Sequence, residues 1–441
     1  MNVAPSSEEK LEQAAKEVLE HNLVQGDGYT YVSPDVDRYP HQWLWDSCFH
    51  VMVNSYLNPG TAKKEFKTLM KNQSDSGFIG HMNYWREDFS LIDKFVRRYY
   101  QDGHRSSLTQ TPLIAQALLY LQEIGCVDLN FIQSYLPRVK AYYDHLYETR
   151  RFEDDEIPLL HIIHSWESGI DNSPVYDGAL GIKGRFLTVK WMFSLIKQLR
   201  VLKKCKWDME KIRERDFFLY KDILFNCAFV QGYRALAIMF ERLDLAREKK
   251  TCVSRADQLE KVFLKHLWND ELGLFFGRHG RDNKMDDVKS ALSLIPLILD
   301  GLPQSKAHVM VDEHLLNEEE FHAPFPVPSV AMDESSYHPK KSALLWRGPT
   351  WININWFLIR GLQKHGFENE ATELSLKTLK LVNKSGFREF YSPHTGKGMG
   401  AKKFGWSTLV VDLIHEKPDQ DDQDYMFFSQ DWRHIKKGGF G

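Results

Sequence analysis

Along residues 8–415 apolar side chains recur at helical spacing, and strict two-residue alternation is scarce and short; that period limits the fold more than any other feature of the chain. Helices are expected at 8–23, 61–72, 109–124, 130–150, 186–204, 220–241, 253–268, 289–299, 351–364, 370–382 and 407–415, with 271–278 the best candidate for a strand. Ser6 or Ser7 caps the first, and Thr109 caps the third, with Pro112 in its first turn and Gly125 as its stop. Helix pairs recur at intervals of about forty residues. Loops rich in Gly, Pro, Asn, Asp, His and aromatic residues follow them at 35–41, 77–88, 161–174 and 389–403, and no linker-like composition divides them. The pattern predicts one all-α unit spanning 1–441, a closed ring of helical hairpins with loaded loops at one end. Residues 417–441 turn acidic, then aromatic, then basic, and read as a packed strap or an interface.

Charge and motif content exclude several classes of function. Fifty-seven basic against sixty acidic residues leave a net charge of −3, which argues against a nucleic-acid binder or a binder of anionic membranes. The most apolar stretch, 292–299, is interrupted by Pro296 and too short to span a bilayer. The first residues carry neither the basic nor the apolar region of a secretory leader, so a cytoplasmic location is expected. Five irregularly spaced cysteines (Cys48, Cys126, Cys205, Cys227, Cys252) read as reduced thiols. His161 and His164 form an HxxH pair without a zincin carboxylate, and HExxH and GxSxG are both absent. The glycine run from Gly396 to Gly400 lacks the following GK[ST] of a phosphate loop and reads as a tight turn. No metal and no cofactor are expected.

Twelve Trp residues stand out because they adjoin polar residues and turns rather than apolar runs. An indole packs on the apolar face of a sugar ring while carboxylates and amides take its hydroxyls. In His164-Ser165-Trp166-Glu167-Ser168-Gly169-Ile170-Asp171-Asn172-Ser173-Pro174, the carboxylates of Glu167 and Asp171 sit in a loop where one can be desolvated and held near a reacting bond. A backbone-bonding turn is the plainer alternative. Glu389 follows Gly386 at a helix exit, able to face a cleft or to pair with Arg388. Residues 39–47, 346–353 and 108–112 are further loop–helix junctions, each readable as a sugar contact or as core and cap.

Taken in order, these loops resemble the clan of (α/α)6-barrel glycosidases, and most of all the small single-domain members of glycoside hydrolase family 63, the mannosylglycerate and glucosylglycerate hydrolases. YPHQWLWDS at 39–47, GFIGH at 77–81, LTQTP at 108–112, HSWESGIDNSP at 164–174, WRGPTW at 346–351 and the Glu389 loop carry the resemblance, which spans residues 30–415. It implies a single (α/α)6 barrel with Asp171 as general acid and Glu389 as general base. It also implies a sugar site of Tyr39, Trp43, Trp45 and Asp46, with Gln110, Trp166, Glu167, Gly169, Arg347 and Trp351 at matching positions. Gly80 stands where relatives often carry Pro, and Lys402-Lys403-Phe404-Gly405 replaces a stretch rich in amides.

The expected reaction is inverting hydrolysis of a small α-glucoside or α-mannoside, with glucosylglycerate and mannosylglycerate first. Short neutral α-glucosides are the alternative, acted on by an exo-α-glucosidase. The expected partners are a small carbohydrate and a catalytic water, with no nucleic acid and no membrane, and the chain is compatible with a homo-oligomer. Gly77, Gly80, Gly396, Gly398 and Gly400 suit a closing lid, and Lys397, Lys402 and Lys403 could meet an anionic aglycone. A helical-barrel epimerase would call for paired catalytic histidines, and a non-catalytic sugar binder would be expected to lack one carboxylate.

Overall fold

The computed structural model describes residues 7–86, 94, 97–183, 187–340 and 344–415. Its architecture follows from two kinds of helix. One kind is buried on nearly all sides: Leu44–Leu57 buries twelve of its fourteen residues, and Ile352–Lys364 eleven of thirteen. The other is amphipathic: Ala246–His266 buries only five of twenty-one. A helix with one apolar stripe must cover something, and a helix apolar all round must be covered. Alternating the two along the chain therefore gives a ring within a ring.

The inner ring runs Leu44–Leu57, Ile114–Glu123, Ile223–Arg242, Ala291–Ile298, Ile352–Lys364 and the pair Gly405–Leu409 and Val410–His415. Each packs on the next and the last packs on the first, so the ring closes. Pro59–Lys71, Leu129–Thr149, Ala246–His266, the segment Gln304–His308 with Val309–Leu315, and Glu368–Ser385 return outside it, and Ser7–His21 packs outside the last inner segment. This is an (α/α)6 barrel. Ile223–Arg242 is long and apolar enough to cross a bilayer by length and composition, but it is almost wholly buried among the other helices.

Several expected boundaries move for local reasons. Pro59–Lys71 starts before residue 61 because Asn58 accepts from the Thr61 amide and Pro59 occupies the first turn. Ile223–Arg242 begins after Asp222, whose carboxylate accepts from the Phe225 amide, and Tyr220 pairs as strand instead. The inner segment expected over 289–299 is a 3-10 helix, Ala291–Ile298, containing Pro296. Thr109 does not cap a helix: 108–113 has no regular structure and the helix starts at Ile114. Residues 389–403 are not a loop but a hairpin, Arg388–Tyr391 against Gly398–Lys402. The expected arm at 271–278 is split: Leu274–Phe275 pairs with Trp268–Asn269, and Arg278 opens a second short strand, Arg278–His279, that pairs with Tyr220–Lys221 and Lys284–Met285. Ser6, Asp88, Phe186 and the tail at 417–441 lie outside the described residues.

Candidate active site

The segments leading into the inner helices converge on one cavity of about 610 Å³, counted with its open mouth. Ten of the expected residues line it: Tyr39, Trp43, Trp45, Asp46, Gln110, Trp166, Gly169, Asp171, Trp351 and Glu389. Pro34, Leu345, Trp346, Phe404 and Trp406 complete the wall.

Asp171 follows a 3-10 turn, Ser165–Ser168, that ends at Gly169 with φ +79°. Only glycine suits this position twice over, because a Cβ there would also lie 2.5 Å from the Trp45 ring. The acid loop is thus laid directly on an indole. Trp191 Nε1 donates to the Asp171 carbonyl at 2.8 Å. Burial is the main force pushing the Asp171 carboxyl up to about 7, and the Glu389 charge adds to it, against indole N–H groups of Trp346 and Trp166 that favour ionisation.

Glu389 is held differently. It accepts from Tyr39 Oη at 3.0 Å and from the Ala401 amide at 2.8 Å, and Arg38 Nη1 stands 3.8 Å from its Oε2. Burial raises its pKa, while the two hydrogen bonds and the Arg38 charge favour its ionised form. Tyr39 reaches it from a loop fixed by Asp35, whose carboxylate accepts from the amides of Asp37 and Arg38. The hairpin strands are close enough for the Ala401 bond because Gly400, at φ +67°, has no side chain; a Cβ would lie 2.5 Å from Glu389 Oε2.

The remaining wall is aromatic with a few polar atoms. Trp346 and Trp351 stack at 3.7 Å, and Trp406 sits edge-on to both Trp45 and Trp351. Tyr39 meets Trp43 and Phe404 edge to face. Gln110 accepts from the Trp45 amide at 3.2 Å through its carbonyl oxygen, which fixes the side chain. Asp46 Oδ1 and the indole nitrogens of Trp43 and Trp351 are buried and meet no protein partner. Burial lifts Asp46 to about 7, opposed by nearby His50.

Two expected contacts stand behind the wall instead. Glu167 is fully buried and saturated: Arg150 donates through both terminal nitrogens at 2.9 and 2.6 Å, and the amides of Thr109 and Ile163 at 3.1 and 2.8 Å. It ties the acid loop to the 108–113 segment, which Thr111 Oγ1 also bonds at the Ser168 carbonyl. Arg347 is spent on Asp177, at 2.7 and 2.6 Å, and so joins the Trp346 segment to the chain just past Asp171. The lid glycines are close-packed: at Gly77, Gly80, Gly396, Gly398 and Gly400 a Cβ would come within 2.6 Å of a neighbour. Lys397, Lys402 and Lys403 are exposed and do not line the cavity. Trp346, Phe404 and Trp406 were not singled out as wall residues; the first and last stand in or beside quoted motifs, but their direction depends on ring closure.

Among the described residues no cluster of His, Cys, Asp or Glu could hold a metal ion. A half-buried and a buried carboxyl in unlike surroundings, lining one aromatic cavity, are equipped for acid–base cleavage of a glycosidic bond.

Known proteins match over the same span. The profile of the mannosylglycerate hydrolase MGH1-like glycoside hydrolase domain matches residues 39–407. The mannosylglycerate hydrolase of Rubrobacter radiotolerans is 27% identical over 93% of this chain and 98% of its own length. The glucosylglycerate hydrolase of Mycolicibacterium hassiacum is 22% identical over 85% of this chain and 91% of its own. A crystal structure of the family 63 mannosylglycerate hydrolase from Thermus thermophilus, in complex with Tris and D-glycerate, superposes with a TM-score of 0.80 at 26% identity, covering 92% of this chain and all of that one.

Proposed function

This chain belongs to the mannosylglycerate hydrolase MGH1-like family of glycoside hydrolases, within family 63, and on that premise we propose that Asp171 and Glu389 carry out its inverting hydrolysis on an α-glucosyl or α-mannosyl conjugate of glycerate. The observation that carries the assignment is the unlike setting of the two carboxyls around one cavity. Asp171, pushed up to about 7, keeps its proton near neutrality and delivers it to the leaving glycosidic oxygen. Glu389, stabilised as a carboxylate by Tyr39, Ala401 and Arg38, takes a proton from a water on the opposite face of the sugar. That water attacks the anomeric carbon as the C–O bond to the aglycone breaks. Trp45, Trp351 and Trp406 hold the ring, and Asp46 with Gln110 receives its hydroxyls.

The names of the relatives support the glycerate conjugates. One observation favours a neutral aglycone instead: no Lys, Arg or His stands among the described lining residues. A panel of glucosylglycerate, mannosylglycerate and neutral α-glucosyl disaccharides, read by released sugar, separates the two. Efficient cleavage of the disaccharides with none of either glycerate conjugate overturns the acidic aglycone and leaves the hydrolase. Asp171→Asn and Glu389→Gln are each expected to lower turnover by about 10² to 10⁴ with the fold intact. Proton NMR should show the inverted anomer first, and a near-normal rate for either variant would remove that residue from the mechanism. A cytoplasmic location is proposed from the five free cysteines, and fractionation of the native host tests it.

A further inference from the structure

One long helix, Leu187–Lys204, belongs to neither ring; in chain order it falls between the acid loop and the segment leading into Ile223–Arg242. Its inward face buries Leu195, Gln198 and Leu202. Trp191 falls on the same stripe, because positions 191, 195, 198 and 202 keep the spacing of one helical face. Leu199 and Leu202 pack with Met82, Tyr84, Leu108 and Ile163 in a small second core. Trp43 and Trp166, both in the cavity wall, rest against that core. The helix therefore backs the side of the cavity formed by the acid loop.

It also grips that loop at both ends. Gln198 Oε1 accepts from the Ser165 amide at 3.2 Å, where the 3-10 turn begins. About two turns back along the helix, Trp191 Nε1 donates to the Asp171 carbonyl at 2.8 Å. Just before Asp171, the Ile170 carbonyl accepts from the Ser173 amide at 2.9 Å. Both peptide planes that flank the Asp171 Cα are thus pinned, and the direction in which its side chain leaves the backbone is set. The loop needs this restraint, since Gly169 in its left-handed turn supplies none. Among the described residues no other donor reaches the Asp171 carbonyl. Neither Trp191 nor Gln198 lines the cavity.

We propose that Leu187–Lys204 is a clamp on the general acid, with Trp191 and Gln198 as its positioning residues. They touch no substrate and act by fixing the backbone from which Asp171 delivers its proton. The proposal rests on the reading of Asp171 as the acid. A clamp of this kind serves the one step that needs the proton, whereas a helix that only props the cavity wall would serve every substrate alike.

The test compares two substrates of the whole chain. One is the best glycoside of the panel above, whose leaving oxygen needs a proton; the other is a dinitrophenyl glycoside of the same sugar, whose leaving group needs none. Trp191→Phe keeps an aromatic ring and removes the N–H donor. It is expected to lower kcat on the panel glycoside at least about tenfold, with KM changed less than about twofold. On the dinitrophenyl glycoside the loss should be at least about fivefold smaller, because no proton is delivered. Beside Asp171→Asn, where no proton remains to be placed, Trp191→Phe should cost less than about twofold. Gln198→Met, which removes the acceptor at the other end of the grip, is expected to show the same split between substrates. It carries the test if circular dichroism and Tm show that Trp191→Phe does not fold. Equal losses on the two substrates overturn the clamp, as does a folded Trp191→Phe enzyme with kcat on the panel glycoside within about twofold of wild type. An effect of Trp191→Phe that persists in full beside Asp171→Asn overturns it too. An Asp171→Asn enzyme with unchanged turnover of the panel glycoside would instead refute the acid reading itself, a failure seen in that variant alone.

Discussion

Asp171 and Glu389 carry the same functional group, and their division of labour comes from their neighbours. Asp171 is desolvated and sits in the field of Glu389; Glu389 has two hydrogen-bond donors on its oxygens and the Arg38 charge beside them. Activity should therefore fall on the alkaline side as Asp171 loses its proton near pH 7, and on the acidic side as Glu389 gains one. With a dinitrophenyl glycoside, whose leaving group needs no proton, Asp171→Asn is expected to retain turnover and to lose the alkaline limb. A persisting limb would assign it to another group. The same raised pKa has a cost in stability. The folded state holds the Asp171 proton more tightly than the unfolded chain does, so the fold loses stability as pH rises from about 4 through about 7. Asp171→Asn should accordingly have a higher Tm than wild type at pH 8 and the same Tm near pH 4, measured by calorimetry. The sequence showed both carboxyls, because each stands in a loop among Trp, Gly and Asn. Residue types alone did not separate Asp171 from Glu167, which are acids in one motif; the family resemblance chose Asp171 as the acid but expected Glu167 at the sugar, and the position of Arg150 makes Glu167 a strut.

Between residues and ring, the hairpin Arg388–Tyr391 with Gly398–Lys402 aims the base. Its pairing brings the Ala401 amide onto Glu389, and that approach depends on the bare backbone of Gly400. Gly400→Ala is expected to push Glu389 aside and to lower kcat at least about 10², since misplacement of a reacting group by about 1 Å costs that much. KM should change less, and circular dichroism should be unaltered. A kcat within twofold of wild type would show that the hairpin yields elsewhere. The hairpin escaped a reading based on alternation because Gly, Lys and Met fill its second strand. Ile114–Glu123 shows the converse. Its apolar period and the stop at Gly125 were legible, but its expected start at Thr109 was not the real one. The Thr109 amide and the Thr111 hydroxyl are claimed by Glu167 and Ser168, more than fifty residues away.

At the scale of the molecule, the ring is pinned at the point where its last segment meets its first. Asp412, fully buried, accepts from Tyr56 Oη at 3.1 Å, from Trp356 Nε1 at 2.5 Å and from Arg360, joining three inner segments. Asp412→Ala leaves a buried guanidinium without its carboxylate and should destabilise the protein by about 3–5 kcal/mol. Denaturant unfolding measures this, and a loss below about 1 kcal/mol would show that closure does not depend on the strut. The recurrence of helix pairs with no linker between them made the closed ring legible; the contacts that pin it were not, since no local pattern announces pairs such as Tyr56 with Asp412. Closure also sets a timetable for biogenesis. Ser7–His21 and Leu44–Leu57 leave the ribosome early, yet one face of each packs on residues 405–415, which emerge roughly 350 residues later, about twenty to seventy seconds at ordinary elongation rates. For that interval the nascent chain carries an open arc with its apolar inner edge exposed. Glu389 and Trp406 are made after five of the six inner segments, so a chain stalled before them has no working intermediate to offer and presents the kind of surface that chaperones hold.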